Sequence, residues 1–453
     1  MRIEKDSVGY LEIPQDSYYG VHTQRAVNNF NITGHRLDRD FIISLAEVKK
    51  AVAQANSELN VLSKEKAEAI VQAADEVIDG KLHEAILVDP IQGGAGTSSN
   101  MNINEVLANR AIELLGGEKG DYKLINPNDD VNRGQSTNDI YPTAGKLTML
   151  KKVPKLMAQL DALSQTFLQK AVEFQDIMKL GRTQLQDAVP ITLGQEFHAY
   201  YSVIKRGMHR LSIAKTEIEA INIGGTAIGT GISAHPELSQ TALQKLREIT
   251  GENLVISDDL VDATQNVESF VVLSDSLKAI AVSLSKVAND IRLLSSGPKT
   301  GIGEIKIPAR QNGSSIMPGK INPVIPEVMN QCAFLVMGNN VTIGLAAEHG
   351  QLELNAFEPV IFYKLIESFE ALTNGIQTFN ENCVKGIEAD RERCQENLER
   401  STYMATPLAE KIGYAQAADI AKESVASGKT VKEVAKIFNI SDDILNDLKV
   451  TIK

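Results

Sequence analysis

Long stretches of the chain repeat apolar residues at alternating steps of three and four, the spacing that lines them up on one face of a helix. The clearest run is Phe270, Leu273, Leu277, Ile280, Leu284, Val287, Ile291 and Leu294, an unbroken heptad seam. A second runs through Leu193, Phe197, Tyr200, Ile204, Leu211, Ala214 and Ile218, with Gly207 at a skipped slot. A third runs through Ile361, Leu365, Phe369, Leu372, Ile376, Phe379 and Cys383. Weaker series lie between Leu147 and Phe174, where Pro154 is expected to start or kink a helix, and from Val328 to about Ala346. The pattern predicts five helices of roughly 20 to 35 residues between about residues 140 and 390, against a usual length of ~11 to 12. They read as an elongated bundle. The seams are broad, so the bundle is expected to continue across subunits.

Between the seams the texture changes. Gly93–Asn104, Asn132–Thr143, Gly181–Pro190, Gly224–His235 and Gly297–Pro323 are rich in Gly, Ser, Thr and Asn. Loops of this kind carry function when a rigid scaffold holds them. The last is long for a compact protein, and so reads as a functional segment. From about Ala389 the chain changes to short charged helices, with Ser441 as a candidate N-cap.

Composition narrows the class. Hydrophobic residues make up 43% and charged residues 23% of 453 positions, which excludes wholesale disorder. Aromatics are 5% and Trp is absent, which favours aliphatic helix seams over sheets. Asp plus Glu exceed Lys plus Arg by 58 to 46, a formal charge of −12, which argues against a surface built for nucleic acid. A small anionic substrate stays open, because local groups set the field in a cleft. Three cysteines without metal or redox spacing point to a reducing, cytoplasmic compartment. The opening residues lack the apolar core of a signal peptide. No run approaches the ~18 apolar residues of a membrane span.

The segment Gly313-Ser314-Ser315-Ile316-Met317-Pro318-Gly319-Lys320-Ile321-Asn322-Pro323 gathers two hydroxyls, a lysine and a carboxamide between glycines and prolines. Lysine offers a point charge to a carboxylate, and a serine near such a charge can act as a base or nucleophile. The same residues also suit a plain polar turn before a helix starting at Pro326.

This segment resembles the signature of the fumarase/aspartase superfamily. The blocks Gly93–Asn102, Asn132–Asp139 and Gly181–Pro190 resemble its other conserved regions, in the expected order, and the likeness runs from Tyr18-Tyr19-Gly20 through the C-terminal part. Gln184 stands where fumarases carry a proton-handling His, so the chain is more similar to the aspartase branch.

The resemblance implies a mainly α fold in three parts: residues 1–137, a central long-helix domain 138–391 with its catalytic loop at 297–323, and a small helical domain 392–453. It implies a homotetramer with a twenty-helix core and active sites shared by three subunits. The implied reaction is reversible elimination of ammonia from L-aspartate to fumarate, through an enediolate on the β-carboxylate and without a cofactor. By the same resemblance Ser314 is the general base. Thr97, Ser136, Thr137 and Ser315 bind the β-carboxylate, Lys320, Asn322 and Thr183 the α-carboxylate, and Asn138 and Gln184 the amino side. Fumarate hydratase chemistry, or an inactive structural protein on the same fold, are the alternatives. No pair of the seven histidines falls at i, i+4, so no catalytic metal is expected. Gly224–Gly231 reads as a tight turn between long helices. Arg25, Arg310 and His235 read as structural, and Cys332 and Cys383 as small core residues.

Overall fold

The computed structural model describes residues 1–448. Two strands, β1 (Arg2–Lys5) and β2 (Tyr10–Ile13), precede four helices, α1 (Val21–Asn29), α2 (Arg39–Glu58), α3 (Lys64–Ile78) and α4 (Thr97–Leu114). A π-helical turn at Pro127–Val131 leads into α5 (Thr137–Glu173). Strands β3 (Met178–Thr183) and β4 (Gln186–Thr192) form a hairpin before α6 (Leu193–Ile218). Then come β5 (Ala220–Ile221), α7 (Leu238–Thr250), β6 (Val255–Ile256), α8 (Leu260–Gln265) and α9 (Glu268–Leu294). Strand β7 (Ile305–Lys306), α10 (Val324–Glu348), α11 (Glu358–Asn382) and β8 (Glu388–Ala389) follow. The chain continues as α12 (Arg391–Arg400), α13 (Ala405–Ile412), α14 (Tyr414–Ser427), α15 (Val431–Ile437) and α16 (Asp442–Asn446). Every described sheet is two-stranded, and no described helix is long and apolar enough to cross a membrane.

The seams are where the periodicity puts them. All eight apolar positions of the α9 series are buried, as are the named apolar positions of the α6 and α11 series. Two expectations change. Helix α5 starts at Thr137 and runs through both Pro142 and Pro154. Each proline removes one N–H, but Tyr141, Ala144, Val153 and Leu156 around them are buried, and tertiary burial carries a helix past a local defect. Helix α10 starts at Val324 rather than Pro326. Ser441 does occupy the N-cap of α16, but its side chain makes no capping bond.

The chain divides into two compact units, with boundaries inside α5, α6, α9, α10 and α11. One unit comprises residues 1–157, 209–281 and 334–372. Four of its aromatics form one cluster: Tyr141 stacks on Phe362 at 5.2 Å, Phe41 meets Tyr141 edge-on at 5.1 Å, and Phe270 lies 4.9 Å from Phe362. The other unit comprises residues 158–208, 282–333 and 373–453. Its cluster is Phe167, Phe174, Phe197 and Tyr200, with Phe174 edge-on to Phe197 at 5.2 Å. Within it, Met404, Leu408, Ile420, Val431, Val434, Ala435 and Leu445 of the C-terminal helices form a core of their own.

Helix α5 approaches α11 closely because Gly145 has no side chain. A Cβ there would meet three ring atoms of Phe362 at under 3.0 Å, and Tyr141 already stacks on that ring. Gly145→Ala is therefore expected to destabilise the fold by about 1–3 kcal/mol through overpacking, read as an earlier midpoint in chemical denaturation.

Candidate active site

The residues singled out above fall into two groups, one in each compact unit. In the first unit, Thr97 opens α4, and Ser136, Thr137 and Asn138 lead into α5. Beneath them lies a buried polar network. Asn132 Oδ1 accepts hydrogen bonds from Lys49 Nζ (2.9 Å), Asn104 Nδ2 (3.1 Å) and Asn100 Nδ2 (3.2 Å). Asn100 Nδ2 also donates to Thr137 Oγ1 at 3.2 Å. The Thr137 hydroxyl oxygen is thus used as an acceptor, which leaves its own hydrogen to point elsewhere. Ser136 Oγ likewise accepts from the backbone N–H of Asn138 at 3.2 Å. Thr97 Oγ1 instead donates to Gly94 O at 2.7 Å. Asn138 Nδ2 donates to Ala227 O at 2.7 Å.

Asp139 ties these pieces together. It is fully buried, and its carboxylate accepts from the N–H groups of Ser136 (3.0 Å), Gly224 (3.1 Å) and Thr226 (3.0 Å). Burial pushes its carboxyl up to about 6 despite those bonds. The turn at Gly224–Gly231 is close-packed as expected: a Cβ on Gly224 would strike Ser239. Lys49, also fully buried, donates to Asn132 and to Gln135 Oε1 (2.8 Å). Burial brings its ammonium down to about 7, opposed only by the charge of Asp139.

In the second unit, Thr183 and Gln184 sit at the tip of the β3–β4 hairpin, where Thr183 pairs with Gln186. Gln184 and Leu185 have φ of +53° and +62°. A two-residue hairpin loop wants this left-handed geometry, but Asn and Gly normally supply it. In L residues it costs about 1–2 kcal/mol each, and such strain gathers at functional sites. The signature loop closes on itself. Gly313 N donates to Lys320 O at 2.8 Å, and Asn322 Nδ2 donates to Gly313 O at 2.7 Å. Ser314 Oγ accepts two backbone N–H bonds, from Ile316 at 3.1 Å and Met317 at 3.0 Å. Ser315, Met317 and Lys320 are exposed, and Ile316 is 84% exposed.

The sequence reading did not single out Lys49, Asn100, Asn104, Asn132, Asp139 or Glu304. A signal existed for Lys49, since it shares the apolar face of Leu45 and Val52 on α2. The residues read as structural are so bonded. Arg25 pairs with Asp6 at 2.7 Å, and Arg310 donates to the carbonyls of Asn382 and Glu381. His235 Nδ1 accepts from Glu237 N, and Cys383 is buried. Cys332 is only partly buried.

Comparison with known proteins agrees along the chain. The profile of a family described as Lyase matches residues 9–338, and one for the fumarase C C-terminus matches residues 404–443. An aspartate ammonia-lyase from a Bacillus species is 49% identical over 449 residues, 99% of this chain and 96% of that protein. A fumarate lyase:delta crystallin from Brucella melitensis, solved bound to cobalt, superposes with a TM-score of 0.96 at 49% identity and covers 100% of both chains. A class II fumarase from Schistosoma mansoni superposes at 0.94 with 33% identity, covering 99% of this chain and 98% of that one.

Lys49 generates a prediction about pH. Its folded value of about 7 lies below the ordinary 10.5, so between those limits the unfolded chain holds more protons. Stability from this group therefore rises with pH across the window, and its penalty is complete below about pH 7. Lys49→Met is expected to lack that rise. Denaturant midpoints of both proteins at about pH 7 and about pH 9 check it.

Proposed function

The chain belongs to the fumarase/aspartase family of lyases, and on that basis we propose that it converts L-aspartate reversibly to fumarate and ammonia. The observation that carries the mechanism is the pair of backbone N–H groups on Ser314 Oγ. Hydrogen bonds to a charged form favour that form, so two donors on one serine oxygen lower the barrier to an alkoxide. Gln184, in place of the fumarase His, and the names of the relatives at 49% identity support ammonia rather than water as the leaving group.

In this reading Ser314 removes a proton from the carbon beside the β-carboxylate. The electron pair moves into that carboxylate, giving an enediolate with two negative charges. Thr97, Ser136, Thr137 and Ser315 donate to it, as donors do in an oxyanion hole. Ser136 and Thr137 are prepared, because each oxygen already accepts one fixed bond and its hydrogen remains to give. Thr97 must first turn away from Gly94 O. Lys320, Asn322 and Thr183 hold the α-carboxylate, and Asn138 and Gln184 the amino group. Asn138 and Asn322 each spend one amide N–H within the protein, and a carboxamide has a second. Collapse of the enediolate expels ammonia. The substrate's own carboxylate is the electron sink, so no cofactor takes part.

The segment 297–323 acts as a lid. Its exposed Ile316 and Met317 are apolar surface that closure would cover, and excluding water strengthens every hydrogen bond within. The assembly is a homotetramer with active sites made by three subunits. Helix α10 supports this by leaving Phe334 (59%), Leu335, Val341 and Leu345 exposed along its length, more apolar surface than a lone helix normally shows to water. The three parts run 1–137, 138–391 and 392–453, and the separate core of the C-terminal helices fits the last of them. Three free cysteines fit a cytoplasmic setting.

Ser314→Ala is expected to lower fumarate formation, followed by its ultraviolet absorbance, by about 10²–10⁴-fold, the usual contribution of a general base. A variant that keeps most of its turnover refutes the assignment. Fumarate incubated with ammonium should give aspartate and no malate, and malate would point to hydratase chemistry. Light scattering should give a solution mass four times that of the 49.3 kDa chain.

A further inference from the structure

Glu304 lies at the root of the loop that bears Ser314, and its side chain is completely buried. Arg182 grips its carboxylate with both terminal nitrogens, at 2.9 and 3.1 Å. Lys179 Nζ lies 3.1 Å away, and Asn397 Nδ2 of α12 donates at 3.0 Å. The backbone of the same residue is also engaged. Its N–H donates to Leu294 O at the end of α9, and its carbonyl accepts from Asp390 N, both at 2.9 Å. One residue therefore ties together the end of α9, the start of α12, the root of the loop and strand β3.

The strand is the informative partner. Arg182 immediately precedes Thr183, and the β3–β4 ladder shifts register between Leu180 and Arg182. The tip turns through two left-handed residues, neither of them Gly or Asn. Buried ion pairs rarely add stability over apolar groups of the same shape, because desolvation consumes the attraction. Three buried or half-buried charges, Lys179, Arg182 and Glu304, are thus a poor device for stability and a good one for fixing an angle.

We propose that Glu304 is a positioning residue, which locks the hairpin tip bearing Thr183 and Gln184 to the root of the loop bearing Ser314. The proposal rests on the function assigned above to those residues. Glu304 touches no substrate. It acts by keeping one set of substrate-holding groups in a fixed attitude while the loop beyond it opens and closes.

The test compares Glu304→Gln with Glu196→Gln in the full-length protein. Glu196 also contacts Lys179, at 3.2 Å, so its loss weakens the same buried cluster without loosening Arg182. Glu304→Gln is expected to lower kcat about tenfold to a hundredfold, the effect of a misplacement of about 1 Å, with KM for aspartate changed less than about threefold. Hydrogen–deuterium exchange should quicken in both 181–192 and 307–322. Glu196→Gln should lower the thermal midpoint and keep kcat. Equal losses of kcat in the two variants, or exchange that quickens in neither segment or in one alone, overturn the proposal. If Glu304→Gln does not fold, Asn397→Ala, which removes a single bond to the carboxylate, carries the test. A few-fold fall in kcat with faster exchange in both segments supports the proposal, and unchanged values overturn it. Exchange needs no turnover. If the natural chain makes no fumarate, the functional reading falls, and exchange alone decides the role of Glu304.

Discussion

A polar group taken out of water must find partners inside the protein, and a charge must find several. The loops of this chain are held in place by that constraint. Four buried carboxylates each gather a different segment. Asp89 collects the N–H groups of Ile32, Thr33 and Gly34. Glu105 collects those of Gly20, His22 and Thr23. Asp139 collects Ser136, Gly224 and Thr226. These three are met mainly by neutral backbone donors, which have little freedom to move and so hold the chain still. Glu304 differs, because its partners are two cations and a carboxamide, all on side chains.

The long helices were legible because their signal is local. Each seam repeats within one helix, and burial of every third or fourth residue follows from the period alone. Pro154 shows the limit of local reading. The helix start it favours is overridden by buried neighbours on both sides that the sequence cannot display as contacts. The polar blocks were legible for another reason. Their residue types are too dense in Gly, Ser, Thr and Asn for a seam, and their order resembles a known family. The anchors were not legible. Glu304 meets Arg182 across 122 positions of sequence, and Lys49 meets Asn132 across 83. Nothing in either residue's neighbourhood distinguishes it from a solvated charge, apart from the apolar face that Lys49 shares.

The net charge of −12 repels a dianion at long range, yet salt screens that field within about 8 Å in the cell. What matters is the field where substrate sits. For the proposed reaction the β-carboxylate is received by hydroxyl groups, and Lys320 is reserved for the α-carboxylate. Hydroxyls suit the end where charge changes. A fixed cation would bind the substrate carboxylate and the enediolate almost alike, and uniform binding does not accelerate the chemical step. An O–H donor held from behind, as Thr137 is by Asn100, strengthens its bond as negative charge grows on the acceptor.

The same logic bears on the strained hairpin tip. Gln184 and Leu185 hold left-handed geometry without Gly or Asn to ease it, and a free hairpin would relax by slipping its register. The ladder is already irregular next to Arg182, and in the role proposed for Glu304 the guanidinium it holds resists that relaxation from outside the ladder. Strain of about 1–2 kcal/mol per residue is small beside the penalty of leaving a buried carboxylate half-paired, about 3–5 kcal/mol when one partner of a buried pair is lost. The ion cluster can therefore hold the tip in a shape that its own backbone does not prefer. A side chain kept there by distant charges is already in place when substrate arrives, and binding energy is not spent on arranging it.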